Sequence, residues 1–319
     1  MEKGSVRLVD VTLRDGGKVN DHSWTLAQAE RLVEACAAAA VPDVEIGYFR
    51  PARQPVDGAT APAASCPPEY LEPLREKAGA ARLMVMTSRK DAAPEDLAAL
   101  ARYGVAAVNM PSRAAEAASL GPYARAAHDA GMRLAVKLMR VNRLPEQAVL
   151  RAVEQAAGKG AGDIAGADVF YLADSYGGMF PEDVTRLAGR LREVTDVPLG
   201  LHAHDGLSMA FANSVAAVRA GVEYVDASLS GMGVDGGNLC LELFAAYLRC
   251  REHQGLAITP LARAAAELLT PWLGEGLTTR AEYVVIGMLD LDPKDPASVG
   301  DGTSGALFSL LDAVPVAAG

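Results

Sequence analysis

Short apolar runs alternate with longer amphipathic ones along the first 250 or so residues. The short runs lie near 6–13, 44–47, 83–87, 107–110, 134–139, 169–172, 199–204 and 224–228, and almost every position in them is apolar. A strand with one wet face would alternate. Unbroken apolarity predicts strands buried on both faces, as in a parallel sheet covered by helices. The longer runs carry helical spacing. In the first, Leu26, Ala29, Val33, Cys36, Ala37 and Ala40 share one face, and Thr25-x-x-Gln28 ahead of them has the form of a capping box. Further helices are expected after Pro94, Pro145 and Pro181, because proline suits a first helical turn. Gly104, Gly131 and Gly221 follow helical runs and predict left-handed stops.

Eight strand-then-helix units are the number in a (β/α)8 TIM barrel, which is the α/β fold expected here. A doubly wound sheet is the rival, but its first turn often carries a glycine-rich phosphate loop. The first turn in this chain, Arg14-Asp15-Gly16-Gly17, is not one. The pattern therefore predicts a barrel over 1–254 and, over 255–319, a helical extension packed against it. That extension holds a helical stretch at 261–273 and a Pro/Gly/Asp-rich segment at 290–305.

Composition narrows the function. The net charge of −10 argues against a nucleic-acid or anionic-membrane partner. The four cysteines are widely spaced with no C-x-x-C, which excludes a zinc ribbon and argues against a disulfide framework. No apolar run approaches the roughly 20 residues of a membrane span, and 1–13 lacks a signal peptide's apolar stretch, so a cytoplasmic location is expected. Aromatic residues make up only 5%, so small side chains must fill much of the core.

In a barrel, reactive groups gather at the C-terminal ends of the strands. Four segments there stand out. Thr12-Leu13-Arg14-Asp15-Gly16-Gly17 places two opposite charges after strand 1, although Asp-Gly is also a common turn. His202 and His204, two of only five histidines, sit at i and i+2 of strand 7 and so face the same way, a metal-chelating arrangement. Asp205 is a plausible acceptor to orient one ring. Glu45 lies inside an apolar strand, where an acid is costly unless paired, and Arg14 on the neighbouring strand is the expected partner. The glycine-rich loop 231–238 after strand 8 lets backbone approach a ligand, though a tight turn explains it equally well. The four segments follow strands 1, 2, 7 and 8, which adjoin in a closed barrel.

These residues carry a resemblance. Asp10-Val11-Thr12-Leu13-Arg14-Asp15-Gly16, Val44-Glu45-Ile46, Ala173-Asp174-Ser175-Tyr176-Gly177-Gly178, Leu201-His202-Ala203-His204-Asp205, and Asp226-Ala227-Ser228-Leu229 through Gly233 to Asn238 are similar to the motifs of the DRE-TIM metallolyases. Within that superfamily the chain resembles the pyruvate-dependent class II aldolases of the 4-hydroxy-2-oxovalerate aldolase type. The resemblance implies a divalent metal, Mn²⁺ or Mg²⁺ foremost with Co²⁺ or Zn²⁺ as alternatives, held by Asp15, His202 and His204, with Asn238 able to join. It implies that Arg14, held by Glu45, faces the 2-oxo oxygen of the substrate, and that Ser175 and its neighbours meet the substrate carboxylate. Gly233, in the glycine-rich loop 231–238, is a further candidate for contact with the substrate. Arg50 and Arg53, in the long loop after strand 2, could meet a second anionic group of the acceptor.

The chain departs from the pattern in one respect. Similar aldolases carry a histidine base shortly after Arg-Asp-Gly, and here Lys18 stands at that place with His22 four residues on. Lys18 would need a lowered pKa to act as base, His22 could swing into the site, and a metal-bound water is the third option. Tyr283 is the candidate for the tyrosine that serves the aldol chemistry in similar enzymes. The implied partners are a small 2-oxo acid and an aldehyde, within a homodimer. The C-terminal part is shorter than the region by which similar aldolases dock a dehydrogenase, so that partner is possible but not predicted. Acyl-CoA-dependent condensing enzymes and the hydroxymethylglutaryl-CoA-type lyase share the superfamily, but Gly17-Lys18 replaces their usual continuation. An iron(II) oxygenase, from the Asp plus two His set, and a metal-binding relative without turnover complete the alternatives.

Overall fold

The computed structural model describes residues 6–51, 61–158, 166–269 and 291–292. Eight parallel strands close into a barrel in sequence order: β1 (Arg7–Asp10), β2 (Asp43–Tyr48), β3 (Arg82–Met86), β4 (Val105–Ser112), β5 (Arg133–Leu138), β6 (Val169–Asp174), β7 (Leu199–Ala203) and β8 (Tyr224–Ala227). Among the described residues the helices are α1 (Leu26–Ala38), α2 (Pro68–Lys77), α3 (Ala98–Ala101), α4 (Gly121–Asp129), α5 (Glu146–Ala156), α6 (Pro181–Arg192), α7 (Ala210–Arg219), α8 (Leu241–Arg251) and α9 (Ile258–Leu269). The (β/α)8 barrel read from the apolar runs is thus the fold.

Local chemistry accounts for the boundaries. The capping box forms as expected: Gln28 N–H donates to Thr25 Oγ1 at 3.2 Å, and Thr25 N–H donates to Gln28 Oε1 at 2.9 Å. Gly104, Gly131 and Gly221 take positive φ past their helices. The helix expected after Pro94 is instead a 3-10 turn, Pro94–Leu97, leading into the short α3. The C-terminal helix runs Ile258–Leu269, and residues from 270 lie outside the described set apart from 291–292.

Period-2 alternation sorts the strand side chains into two shells. Leu8, Val44, Ile46, Val85, Val108, Leu134, Val136, Phe170 and Leu201 face the helices. Val9, Val11, Met84, Ala107, Ala135, Val169, Tyr171 and Tyr224 form a separate buried cluster inside the barrel. Its small residues leave room for Met84 and Tyr171, which is how a chain poor in aromatics fills this space. Gly200 matters here, since a Cβ on it would lie 2.4 Å from the Tyr171 ring.

Polar side chains flank this apolar layer at both ends. At the N-terminal end of the strands, buried Asp43 accepts from Arg7 Nε at 3.0 Å and Arg82 Nε at 2.7 Å, and Arg133 Nη1 donates to the Tyr224 hydroxyl at 2.7 Å. Toward the C-terminal end the inward positions are Glu45, Asn109, Lys137, His202 and Asp226, all buried. That end carries the site.

Candidate active site and metal centre

Asp15 lies on the turn that follows β1, where its N–H donates to Val11 O at 2.8 Å. His202 is on β7. His204 lies one residue past that strand, which ends at Ala203 rather than at His204, and it forms a β-bridge with Asn238 of the glycine-rich loop. These segments converge. Asp15 Oδ2 is 4.0 Å from His202 Nε2 and 3.9 Å from His204 Nε2, and all three side chains are buried. The three offer ligand atoms within 4.8 Å of one another.

The hydrogen bonds around this triad fit a cation. His202 Nδ1 lies 3.0 Å from Asp226 Oδ2, and His204 Nδ1 lies 3.1 Å from Val234 O. When each Nδ1 donates its proton, both Nε2 lone pairs face Asp15. Burial, with help from His202 and Lys18, pushes His204 down to about 4 despite Asp15, so its ring is neutral at pH 7. Burial alone would raise the Asp15 pKa, but Lys18, Arg14 and the two histidines hold it well below the usual carboxylate range. Asn238 Nδ2 donates to Asp15 Oδ2 and to Met232 O, both at 3.0 Å, and its Oδ1 is a buried acceptor without a hydrogen-bond partner. An anionic oxygen, two imidazole nitrogens and a spare amide oxygen are a donor set for a divalent metal. Gly233 makes the packing possible, because a Cβ there would come within 2.5 Å of Asn238 Nδ2.

Beside the triad, Arg14 donates from Nε to Glu45 Oε2 at 2.7 Å and from Nη1 to Asp15. Among the described residues its Nη2 is buried without a hydrogen-bond partner. The pairing of Glu45 with Arg14 follows the sequence expectation. Glu45 is fixed further by Asn109 Nδ2 at 2.6 Å. Burial pushes its pKa up, and Arg14 and Lys137 outweigh that, so the carboxylate stays ionised.

Lys18 donates to Asp15 Oδ1 at 2.6 Å with its side chain 36% exposed. Burial draws the Lys18 pKa down, but the Asp15 carboxylate more than restores it, so the net movement is upward and the group stays an ammonium. His22 stands at the same mouth, with Nδ1 3.4 Å from Leu13 O and its ring edge-on to Tyr48 at 5.3 Å. Burial, then the charges of Lys18, Arg50 and Arg14, lower its pKa, so the imidazole is neutral at pH 7. Gly17 gives it space, since a Cβ there would lie 2.3 Å from His22 Nδ1.

The remaining expected residues divide. The Ser175 hydroxyl, past the end of β6, accepts from Arg140 N–H at 3.0 Å. Arg50 is engaged by Asp91 at 3.1 Å and by the Ala64 carbonyl, and lies over the Tyr48 ring. Arg53 and Tyr283 lie outside the described residues. Asp205 accepts from Ala210 N–H at 3.0 Å at the start of α7. Asp226 and the Val234 carbonyl take the ring-orienting role instead. Sequence reasoning also missed Lys137, whose Nζ lies 2.6 Å from Asp226 and 3.3 Å from Glu45. A charged residue in an apolar strand was the available signal, the same one that singled out Glu45.

Barrel, buried triad and adjacent guanidinium fit a metal-dependent lyase of aldolase type, the class that the family and the relatives support. Residues 5–267 match the HMGL-like family, and the chain belongs to that family, within the DRE-TIM metallolyases. It is a carbon–carbon lyase. Among its relatives, the 4-hydroxy-2-oxovalerate aldolase of Geobacillus genomosp. 3 is 27% identical over 292 residues, covering 90% of this chain and 83% of the relative. The enzyme of the same name from Chloroflexus aggregans is 30% identical over 272 residues, covering 83% and 76%. Two solved structures share the fold. The N-terminal domain of a proposed aldolase from Bacteroides vulgatus superposes with a TM-score of 0.82 at 24% identity, over 97% of this chain and all (100%) of that one. The carboxyl transferase domain of Rhizobium etli pyruvate carboxylase, with pyruvate and biocytin, superposes with a TM-score of 0.70 at 18% identity, over 88% of this chain and 50% of that one.

Proposed function

We propose that this protein is a class II aldolase that joins a pyruvate-like 2-oxo acid to an aldehyde, or cleaves the resulting 4-hydroxy-2-oxo acid. The observation that carries this reading is the buried Nη2 of Arg14, without a protein partner, beside the Asp15–His202–His204 triad. A guanidinium aimed at a 2-oxo oxygen stabilises negative charge as it develops there during C–C cleavage or enolisation, and it does so without proton transfer. Relatives named 4-hydroxy-2-oxovalerate aldolase support the same reading.

Asp15, His202 and His204 would hold the divalent metal, with Asn238 Oδ1 as a further ligand and Mn²⁺ or Mg²⁺ as the ion. Such an ion supplies Lewis acidity, polarising the 2-oxo group. The protein's residues do the rest. Glu45 keeps Arg14 in place through Nε, leaving Nη2 for the substrate. Ser175, at the neighbouring strand end, meets the substrate carboxylate. His22 is the base: with Nδ1 donating to Leu13 O, Nε2 carries the lone pair that takes the proton of the 4-hydroxyl during cleavage. Lys18 stays protonated and adds positive charge at the mouth.

The test is retro-aldol cleavage of a panel of 4-hydroxy-2-oxo acids, with released pyruvate followed through lactate dehydrogenase and NADH. Cleavage that chelator abolishes and Mn²⁺ restores is the expected result. Inertness toward the whole panel, combined with condensation of acetyl-CoA onto a 2-oxo acid, would overturn the reading.

A further inference from the structure

We infer that Lys137 is a positioning residue: its single ammonium clamps Asp226 and Glu45 together, and through them sets His202 and Arg14. The side chain is 2% exposed and projects into the barrel from β5. Its three N–H donors have three acceptors around them. These are Asp226 Oδ2 at 2.6 Å, Glu45 Oε2 at 3.3 Å, and the face of the Tyr171 ring, whose centroid lies 4.8 Å from Nζ.

The choice of oxygens is the telling detail. Asp226 Oδ2 receives both Lys137 and His202, while Oδ1 is buried with no partner. Lys137 therefore fixes which oxygen faces His202 Nδ1, and so the direction of the His202 Nε2 lone pair. Glu45 Oε2 likewise receives both Lys137 and the Nε of Arg14. One residue on the far side of the barrel thus couples the metal-ligand half of the site to the guanidinium half. A lysine kept only to fill space would be poorly chosen, because a hydrophobe of similar size avoids the cost of desolvating a charge. Its retention fits a role in orientation, as outer-shell partners of metal ligands commonly have.

The inference rests on the aldolase reading only where turnover is measured, so the experiment also reads the metal directly. Wild type, Lys137→Met, Asp226→Asn and the double variant would be titrated with Co²⁺, recording affinity and the visible ligand-field spectrum. Exchange of the pyruvate methyl protons gives kcat and KM. Lys137→Met is expected to weaken Co²⁺ binding about tenfold and to shift the spectrum. It should also lower kcat about 100-fold with KM changed less than about threefold. In the Asp226→Asn background the same substitution should alter affinity by less than about threefold, since the shorter path to the metal, through Asp226 and His202, is already cut. Lys137→Gln keeps a donor without the charge, and the same thresholds apply to it if Lys137→Met does not fold. A variant that loses thermal stability yet keeps the Co²⁺ spectrum, affinity and kcat of wild type would overturn the inference. So would fully additive effects with Asp226→Asn. If wild type binds metal but exchanges no proton, the aldolase reading fails while affinity and spectrum still judge Lys137.

Discussion

His22 and Lys18 stand side by side at the barrel mouth, and their surroundings push them in opposite directions. A base must be unprotonated at working pH. The His22 pKa is lowered by burial and neighbouring cations, whereas Asp15 keeps Lys18 charged. His22→Gln should therefore cost about 100-fold in kcat, and Lys18→Met should cost no more than about tenfold. The pH profile carries a sign. With His22 as base, the rate falls as pH drops through its pKa, and that fall comes at a lower pH than for an ordinary histidine. His22→Gln should erase this acid limb. Rates of the two variants measured from pH 4 to 8 check both statements. Gly233→Ala is the companion test of the loop. Its Cβ would meet Asn238 Nδ2 at 2.5 Å, so it should weaken metal binding, measured by calorimetry, about tenfold.

At the scale of elements, the barrel was written plainly in the chain. Parallel strands buried on both faces give unbroken apolar runs, and capping residues and glycine stops mark the helices between them. Thr25→Ala should remove about 1 kcal/mol of stability by opening the capping box, read as a shift of the urea midpoint. Gly200→Ala should destabilise more, since the Tyr171 ring inside the barrel cannot retreat from a Cβ 2.4 Å away. Much of the site was legible as well, because Asp15, His202 and His204 interrupt the pattern at strand ends, and Glu45 interrupts it inside a strand. Lys137, Asn109 and the part played by Asp226 were harder to read. Each is a polar residue in an apolar run, but its partner lies on a strand that only barrel closure brings opposite: Lys137 on β5 meets Glu45 on β2 and Asp226 on β8. Spacing along the chain holds no record of that distance. Nearness to the histidines in sequence suggested Asp205 for ring orientation; the carboxylate accepts from the backbone at the start of α7, and Asp226 and the Val234 carbonyl face the two ring Nδ1 atoms.

For the whole molecule, folding and function share the C-terminal end of the barrel. The charged layer there is embedded above an apolar one, and its acids differ in what burial does to them. Lys137 and His202 overcome burial at Asp226 and lower it to about 2. At Asp10, burial dominates the hydrogen bonds from Thr12 and raises the pKa to about 7. An unfolded chain releases that proton near 3.8, so between pH 4 and 7 the folded state binds more protons than the unfolded one. The Asp10 contribution is thus fully present below about pH 4 and is lost as pH rises to 7, at roughly 1.4 kcal/mol per unit. Asp10→Asn should flatten that slope in denaturant titrations run from pH 5 to 7.

We propose that Asp15, His202 and His204 would hold a divalent metal and that Arg14 beside them stabilises the enolate of a 2-oxo acid. Proton exchange at the substrate methyl group reports that enolate. Protein stripped of metal and reloaded with Mn²⁺ would be incubated with pyruvate in D₂O, following the methyl signal by NMR. The expected result is loss of the signal that chelator stops and Mn²⁺ restores, absent in His202→Ala and at least about 100-fold slower in Arg14→Met. Exchange that persists undiminished in His202→Ala, or continues with chelator present, would overturn the metal and Arg14 roles.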